Sequence, residues 1–99
     1  MARFRIEFAE SVADQLLALT RAERVRLLDA IERQLAEEPL TETRNRKPLR
    51  PNPVAPWELR AGALRVFHEV AHHPRMVRVV AVGKKDRNVL RVGRREMKL

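Results

Sequence analysis

The 99-residue sequence has no cysteine, no tyrosine, three glycines and one tryptophan. Without cysteine, disulfide bonds and thiolate metal sites are excluded, which fits a reducing compartment such as the cytoplasm. No apolar run approaches the roughly 20 residues that a membrane-spanning helix needs. The first residues alternate polar and apolar side chains, unlike a signal peptide. We therefore expect one cytoplasmic domain, residues 1–99, with no membrane segment.

Positive charge is concentrated in the second part of the sequence. Residues 1–40 contain six Lys or Arg and eight Asp or Glu, whereas residues 41–99 contain fifteen and five. Such segregation favours a polyanionic partner, most simply nucleic acid. A solvated, arginine-rich surface without a partner is the alternative.

The first forty residues predict a strand followed by a helical hairpin. Phe4, Ile6 and Phe8 alternate with polar residues, as in a half-buried strand. Ser11 is the expected start of one helix, and the capping box Thr20–Glu23 starts a second. The predicted buried stripes are Val12, Leu16 and Leu19 in the first helix, and Val25, Leu28, Ile31 and Leu35 in the second.

Residues 39–56 contain five prolines, which predict an extended connector that is neither a helix nor a central strand. The connector also carries four cations: Arg44, Arg46, Lys47 and Arg50. It has two interpretations, a basic arm along an RNA backbone or the rim of a site, and a solvated linker stiffened by proline.

Extended segments follow from Trp57, which is more typical of a core or edge anchor than of a base-stacking platform. Gly62 separates the first two segments. Alternation in the second puts Leu64, Val66, His68 and Val70 on one face of the strand, and Arg65, Phe67 and Glu69 on the other. A hairpin with its tip at residues 73–74 places Glu69 opposite Arg78 and Phe67 opposite Val80.

The apolar segment 76–82 is the predicted central strand of the sheet. Gly83 is expected to end it, residues 84–88 to form a polar turn, and residues 89–92 and 94–99 to form further strands. The sequence thus predicts an α+β fold with an N-terminal strand, a helical hairpin and an antiparallel meander of three to four strands.

The candidate chemistry is cationic. The three histidines lack metal-ligand spacing, and we find neither a glycine-rich phosphate loop nor a nucleophile–base pair, so we expect no metal and no cofactor. Adjacent strands can bring Arg65 close to Lys85 and Arg87. Such a cluster stabilises charge that develops on a phosphate, or only grips RNA or an acidic partner.

The order Trp57-x-Leu59-Arg60-x-Gly62-x-x-Arg65-Val66, followed by an aliphatic run and Gly83-Lys84-Lys85-x-Arg87, resembles the RelE/ParE superfamily of toxins from type II toxin–antitoxin pairs. The resemblance implies a RelE-like fold, an antitoxin partner and metal-independent cleavage of mRNA on the ribosome. It also implies that Arg65 is catalytic, together with a cation near Lys85 or Arg87.

The sequence departs from the RelE pattern at three positions. Two lysines of RelE-type enzymes map to Pro56 and Glu58, and a C-terminal tyrosine or histidine maps near Arg91. Glu58, Lys47 and His68 are the candidates for the missing acid and base. His68 shares the Val66 face, which favours an inner structural histidine.

Two other functions stay open, namely a non-catalytic ParE-like toxin that blocks DNA gyrase and an inactive relative that only binds nucleic acid or a partner. The predicted catalytic residues are Arg65, Lys85, Arg87 and Glu58. The predicted nucleic-acid contacts are Arg44, Arg46, Lys47, Arg50, Arg60, Lys84, Arg91 and Arg94.

Overall fold

The computed structural model describes residues 3–97, which form two helices and seven strands. Neither helix of this part of the chain is long and apolar enough to cross a membrane. In chain order the elements are β1 (Arg5–Phe8), α1 (Val12–Leu17), α2 (Arg21–Leu35), β2 (Arg46–Pro48), β3 (Trp57–Ala61), β4 (Leu64–His72), β5 (Arg75–Asp86), β6 (Val89–Val92) and β7 (Arg95–Met97).

All seven strands belong to one sheet. Strands β2 to β7 pair in chain order as an antiparallel meander, and β1 adds in parallel to the first half of β5. Along one edge of β5, strand β1 pairs as far as Val79 and β6 pairs from Gly83 onward. Between these two strands, Oε1 of Gln15 accepts a hydrogen bond from the Val82 N–H at 2.9 Å. The predicted α+β class is confirmed, with six antiparallel strands instead of three or four.

A β-bulge in β5 decides which side chains share a face. The tip of the hairpin lies where it was predicted and Glu69 pairs with Arg78, but Phe67 pairs with Ala81 instead of Val80. Val80 is the extra residue between the pairs His68–Val79 and Phe67–Ala81. Because strand side chains alternate, one extra residue exchanges the two faces for the rest of β5.

The inner face of the sheet, which carries Leu59, Val66 and Val82, packs against the helices in the main core. Helix α2 begins with the predicted capping box, in which the Thr20 hydroxyl accepts from the Glu23 N–H and the Glu23 carboxylate accepts from the Thr20 N–H. At α1, Ser11 holds the N-cap position without a capping side-chain hydrogen bond.

The predicted apolar stripe of α2 is wrong at two positions. Ile31 and Leu35 are buried as expected, together with Leu27. Val25 and Leu28 are 60% and 41% exposed, because α2 turns the stripe around Leu27 toward the sheet. Helical periodicity fits either stripe, and only packing on the sheet selects one of them.

The proline-rich connector is ordered and covers part of the outer face, the side of the sheet away from the helices. Residues 46–48 form edge strand β2, and Leu49, Val54 and Ala55 pack in a second core around Phe67. Asn52 closes the loop, because its side chain bonds the backbone of Arg50, Val54 and Ala55 at 2.7–3.0 Å. The connector is therefore packed on the sheet and is not a solvated linker, whereas its contact with RNA or the rim of a site stays a prediction.

Two predicted strand ends also differ. Gly83 does not end β5, which continues to Asp86, so the turn contains only Arg87 and Asn88. Both turn residues have positive φ, as a two-residue type I′ hairpin requires. The last strand, predicted over residues 94–99, is β7 at Arg95–Met97, and residues 98–99 lie outside the described residues.

His68 is completely buried on the inner face, where its ring stacks on Trp57 with 6.2 Å between the ring centroids. Within residues 3–97 neither ring nitrogen makes a hydrogen bond of good geometry, although the backbone carbonyls of Pro39 and Val66 lie near the ring. Burial lowers the pKa of His68 to about 4, the backbone carbonyls of Pro39 and Val66 oppose this shift, and Arg46 adds to it. His68 is thus an inner structural residue on the face opposite to Arg65.

The burial of a neutral His68 predicts acid-sensitive stability. The unfolded chain takes up the proton at a pKa near 6.5 and the folded chain at about 4. The free energy of unfolding therefore loses this contribution as the pH falls from 6.5 to 4, by about 3 kcal/mol. Urea unfolding across this range should show the loss in wild-type and in His73→Leu, an exposed histidine, but not in His68→Leu. An equal loss in His68→Leu would contradict the assignment.

Candidate nucleic-acid site on the outer face

Five charged residues from four neighbouring strands share the outer face, and we call them the Arg65 site: Lys47, Glu58, Arg60, Arg65 and Lys85. The strand register brings them together. Lys47 pairs with Glu58 across β2 and β3, and Arg60 pairs with Arg65 across β3 and β4. The site holds four cations and one carboxylate, so it carries excess positive charge.

Two arginines lie directly opposite each other in the Arg65 site. Like charges at facing positions of an antiparallel pair are destabilising. One carboxylate offsets part of this repulsion, since the Nε of Arg60 donates to Oε1 of Glu58 at 2.7 Å. The Glu58 side chain is only 7% exposed. A buried carboxylate beside two guanidinium groups is an arrangement for binding an anion and moving a proton.

The guanidinium of Arg65 forms no hydrogen bond or ion pair with a carboxylate of residues 3–97. Its Nη1 donates to the backbone carbonyls of Gly62 and Leu64 at 2.7 and 2.9 Å, and its buried Nε has no partner. Burial lowers the pKa of Arg65, the Glu58 carboxylate opposes this effect, and Arg60 adds to it. The positive charge of Arg65 is therefore available to an arriving oxyanion, whereas that of Arg60 is already compensated by Glu58.

The β5 bulge supplies the remaining cation. Arg65 pairs with Gly83, and Lys85, two residues further on, faces outward beside it. The Lys85 N–H donates to the Ala63 carbonyl at 2.8 Å, which fixes this strand against the β3–β4 turn. Gly83 permits the close approach of β6, because a Cβ there would lie 2.2 Å from the Arg91 carbonyl oxygen.

Two predicted nucleic-acid contacts hold the fold together instead. Arg46 is 8% exposed, on the inner face, and its Nη1 donates to the Gln34 carbonyl near the end of α2. Lys84 also lies on the inner face and forms an ion pair with Glu23 of α2 at 2.6 Å. The hydrogen bond from Lys84 lowers the pKa of Glu23. We correct both assignments, because Arg46 is buried and Lys84 is engaged in an ion pair with Glu23.

The remaining predicted contacts, and the predicted catalytic residue Arg87, are exposed. Arg87 lies on the β5–β6 turn and Arg50 on the β2–β3 loop. Arg91 faces inward and lies 3.6 Å from Glu96. Arg94 lies on the β6–β7 turn and Arg44 in the bend before β2. The nucleic-acid assignment stays a prediction for Arg44, Arg50, Arg91 and Arg94, and so does the catalytic role of Arg87.

The outer face presents no aromatic ring for base stacking. Phe67 is completely buried under the β2–β3 loop, and Phe4, Phe8 and Trp57 belong to the inner face. Within residues 3–97 there is also no cluster of three or more His, Asp or Glu side chains that could hold a metal ion. The charged groups of the Arg65 site can stabilise an oxyanion and transfer a proton.

Because Arg60 and Arg65 face each other across β3 and β4, we expect the charge of Arg65 to lower the stability of the folded protein. Arg65→Gln removes one of the two facing charges, so the free energy of unfolding should stay equal or rise by about 0.5 kcal/mol. The matched control is Arg78→Gln, because Arg78 faces Glu69 in the same sheet, and its stability should not rise. Chemical denaturation measures both variants. A loss of more than about 1 kcal/mol in Arg65→Gln would contradict the assignment.

Comparison with known proteins identifies the fold of this chain. No protein-family model matches the sequence, and no curated protein matches it. The structure resembles a chain of the toxin–antitoxin complex RelBE2 from Mycobacterium tuberculosis, with TM-score 0.67 and 20% identity over 84% of this chain and 99% of that chain.

A second similar structure is a chain of the archaeal RelE–RelB complex from Pyrococcus horikoshii. Its TM-score is also 0.67, with 19% identity over 88% of this chain and 99% of that chain. Both likenesses extend over nearly the whole neighbour, so they concern the complete domain and not a shared fragment. The chain therefore has the RelE-like fold of the toxins in these complexes.

Proposed function

We propose that this protein is the toxin of a type II toxin–antitoxin pair and cleaves mRNA on the ribosome without a metal ion. The observation that carries the proposal is the Arg65 site, where an arginine that forms no ion pair within residues 3–97 lies near the buried carboxylate of Glu58. The fold adds support, because both similar chains come from toxin–antitoxin complexes.

The site suggests a division of roles in cleavage. Glu58 accepts the proton of a ribose 2′-hydroxyl, whose oxygen attacks the adjacent phosphorus. The bond from phosphorus to the 5′ oxygen breaks, and the Lys85 ammonium gives that oxygen its proton. Arg65 binds the non-bridging oxygens, where negative charge develops in the transition state. The products are a 2′,3′-cyclic phosphate and a 5′-hydroxyl, so atoms and charge balance.

Dependence on the ribosome follows from what the outer face offers. Cleavage needs the 2′ oxygen in line with the leaving group, and orientation of this kind is a large part of catalysis. Base stacking is the usual way to hold single-stranded RNA, but the aromatic rings of this chain are buried or face inward. We propose that the ribosome holds the message in the reactive geometry and the protein supplies charge and proton transfer.

The central test uses purified ribosomes programmed with a defined mRNA, and primer extension to map new 5′ ends. Wild-type protein should produce cuts only in the presence of ribosomes. Arg65→Ala should lower the cleavage rate at least about 10²-fold, and Lys85→Ala should lower it by a similar or smaller factor. Arg78→Ala is the control, since it removes an exposed cation from the distant half of β5.

An intact message at high protein concentration would overturn the ribonuclease proposal. Gyrase supercoiling is then the next assay, because the departures at Pro56 and Glu58 leave fewer cations than a RelE-type site has. If supercoiling is also unaffected, the protein is a binding domain, and affinity for RNA becomes the property to measure.

We further propose an antitoxin, encoded alongside, whose acidic segment covers the outer face. The charge of the second part of the chain supports it, because Arg65 and Lys85 attract carboxylates as well as phosphates. The purified complex should lose ribosome-dependent cleavage. Arg65→Glu combined with Lys85→Glu should weaken the complex, whereas Arg78→Glu should not. Equal affinity for all three proteins would exclude the outer face as the contact.

A further inference from the structure

The second arginine of the site, Arg60, was predicted to contact nucleic acid. We infer instead that Arg60 is a positioning residue, which fixes the Glu58 carboxylate for proton transfer and leaves the phosphate to Arg65. This inference rests on the proposed cleavage reaction. It gives different roles to the two facing arginines, since Arg60 orients the general base and Arg65 binds the phosphate.

The hydrogen-bond geometry favours a positioning task. Glu58 and Arg60 are two residues apart on β3, so both side chains point to the outer face, and the Nε of Arg60 lies 2.7 Å from Oε1 of Glu58. Arg60 is the one described residue that donates a side-chain hydrogen bond to Glu58. With Oε1 held, Oε2 is the oxygen left to receive a proton.

The backbone around Arg60 is itself fixed. The Arg60 N–H donates to the Asn45 carbonyl at 2.7 Å, which ties β3 to the segment before β2. The side chains of Glu58 and Arg60 are 7% and 40% exposed. The Glu58 carboxylate is thus more deeply buried than the Arg60 guanidinium. Because a charged hydrogen bond is strong where water is excluded, this bond fixes the orientation of the carboxylate.

Charge balance separates Arg60 from Arg65. The charge of Arg60 is compensated by a direct hydrogen bond to Glu58, whereas the hydrogen-bond acceptors of Arg65 within residues 3–97 are the neutral carbonyls of Gly62 and Leu64. An oxyanion therefore gains more by approaching Arg65 than by competing with Glu58 for Arg60. If Arg60 did leave Glu58 to grip RNA, a buried carboxylate would lose its partner, which is costly.

Kinetics of the programmed ribosome distinguish positioning from gripping. Arg60→Gln should lower kcat about 10²-fold, because a general base contributes factors of this size, and should change KM less than twofold. Arg60→Lys keeps a charged donor and should restore part of kcat. The comparator is Arg50→Gln, an exposed loop cation, which should act on KM if it acts at all. A tenfold higher KM with unchanged kcat in Arg60→Gln would overturn the inference.

Two further measurements separate this inference from the proposed function. Binding to ribosomes that carry an uncleavable 2′-deoxy message should be unchanged in Arg60→Gln, and weaker binding would overturn the positioning role. In the free protein, the Glu58 carboxylate carbon should shift in the NMR spectrum of Arg60→Gln and stay in place in Arg50→Gln. An unmoved signal would overturn the contact itself, even if wild-type protein failed to cleave RNA.

Discussion

The pairing of β4 with β5, including the single extra residue at Val80, is the constraint on which the rest of the structure depends. Every other strand attaches directly or indirectly to this hairpin. With a regular register, Arg65 would face Val82, and Lys84 would point outward. The bulge moves Gly83 opposite Arg65 and turns Lys85 outward, while Lys84 turns inward to Glu23. The single extra residue Val80 thus places Lys85 in the Arg65 site and lets Lys84 form the ion pair that holds α2 against the sheet.

Local signals explain which parts of the fold were predictable. The capping box at Thr20 and the hairpin tip at residues 73–74 depend on neighbours in sequence, so reading the chain was sufficient. The bulge was not predictable, because Val80 is flanked by other small apolar residues that suit either face. The inward position of Leu27, with Val25 left outside, likewise depends on the sheet that α2 meets.

The site was partly predictable for the same reason. Alternation from Leu64 onward was enough to assign Arg65 and Phe67 to one face, and Glu58 was a candidate from the comparison with RelE. The structural roles of Arg46 and Lys84 could not be predicted, because their partners lie in the first part of the chain. Arg46 binds a carbonyl near the end of α2, and Lys84 binds a glutamate of the same helix. Charge density alone does not tell a cation that binds a ligand from one that binds its own fold.

The ends of the sheet limit how this protein can assemble with others. Strands β2 and β7, at the two ends of the meander, contain three residues each, and β2 ends at Pro48. Short edges that contain proline and charge offer little backbone for another strand to join, so they protect against aggregation. Strand addition at β2 or β7 is consequently an unfavourable way for a partner to dock, which favours recognition through side chains at these two ends of the sheet.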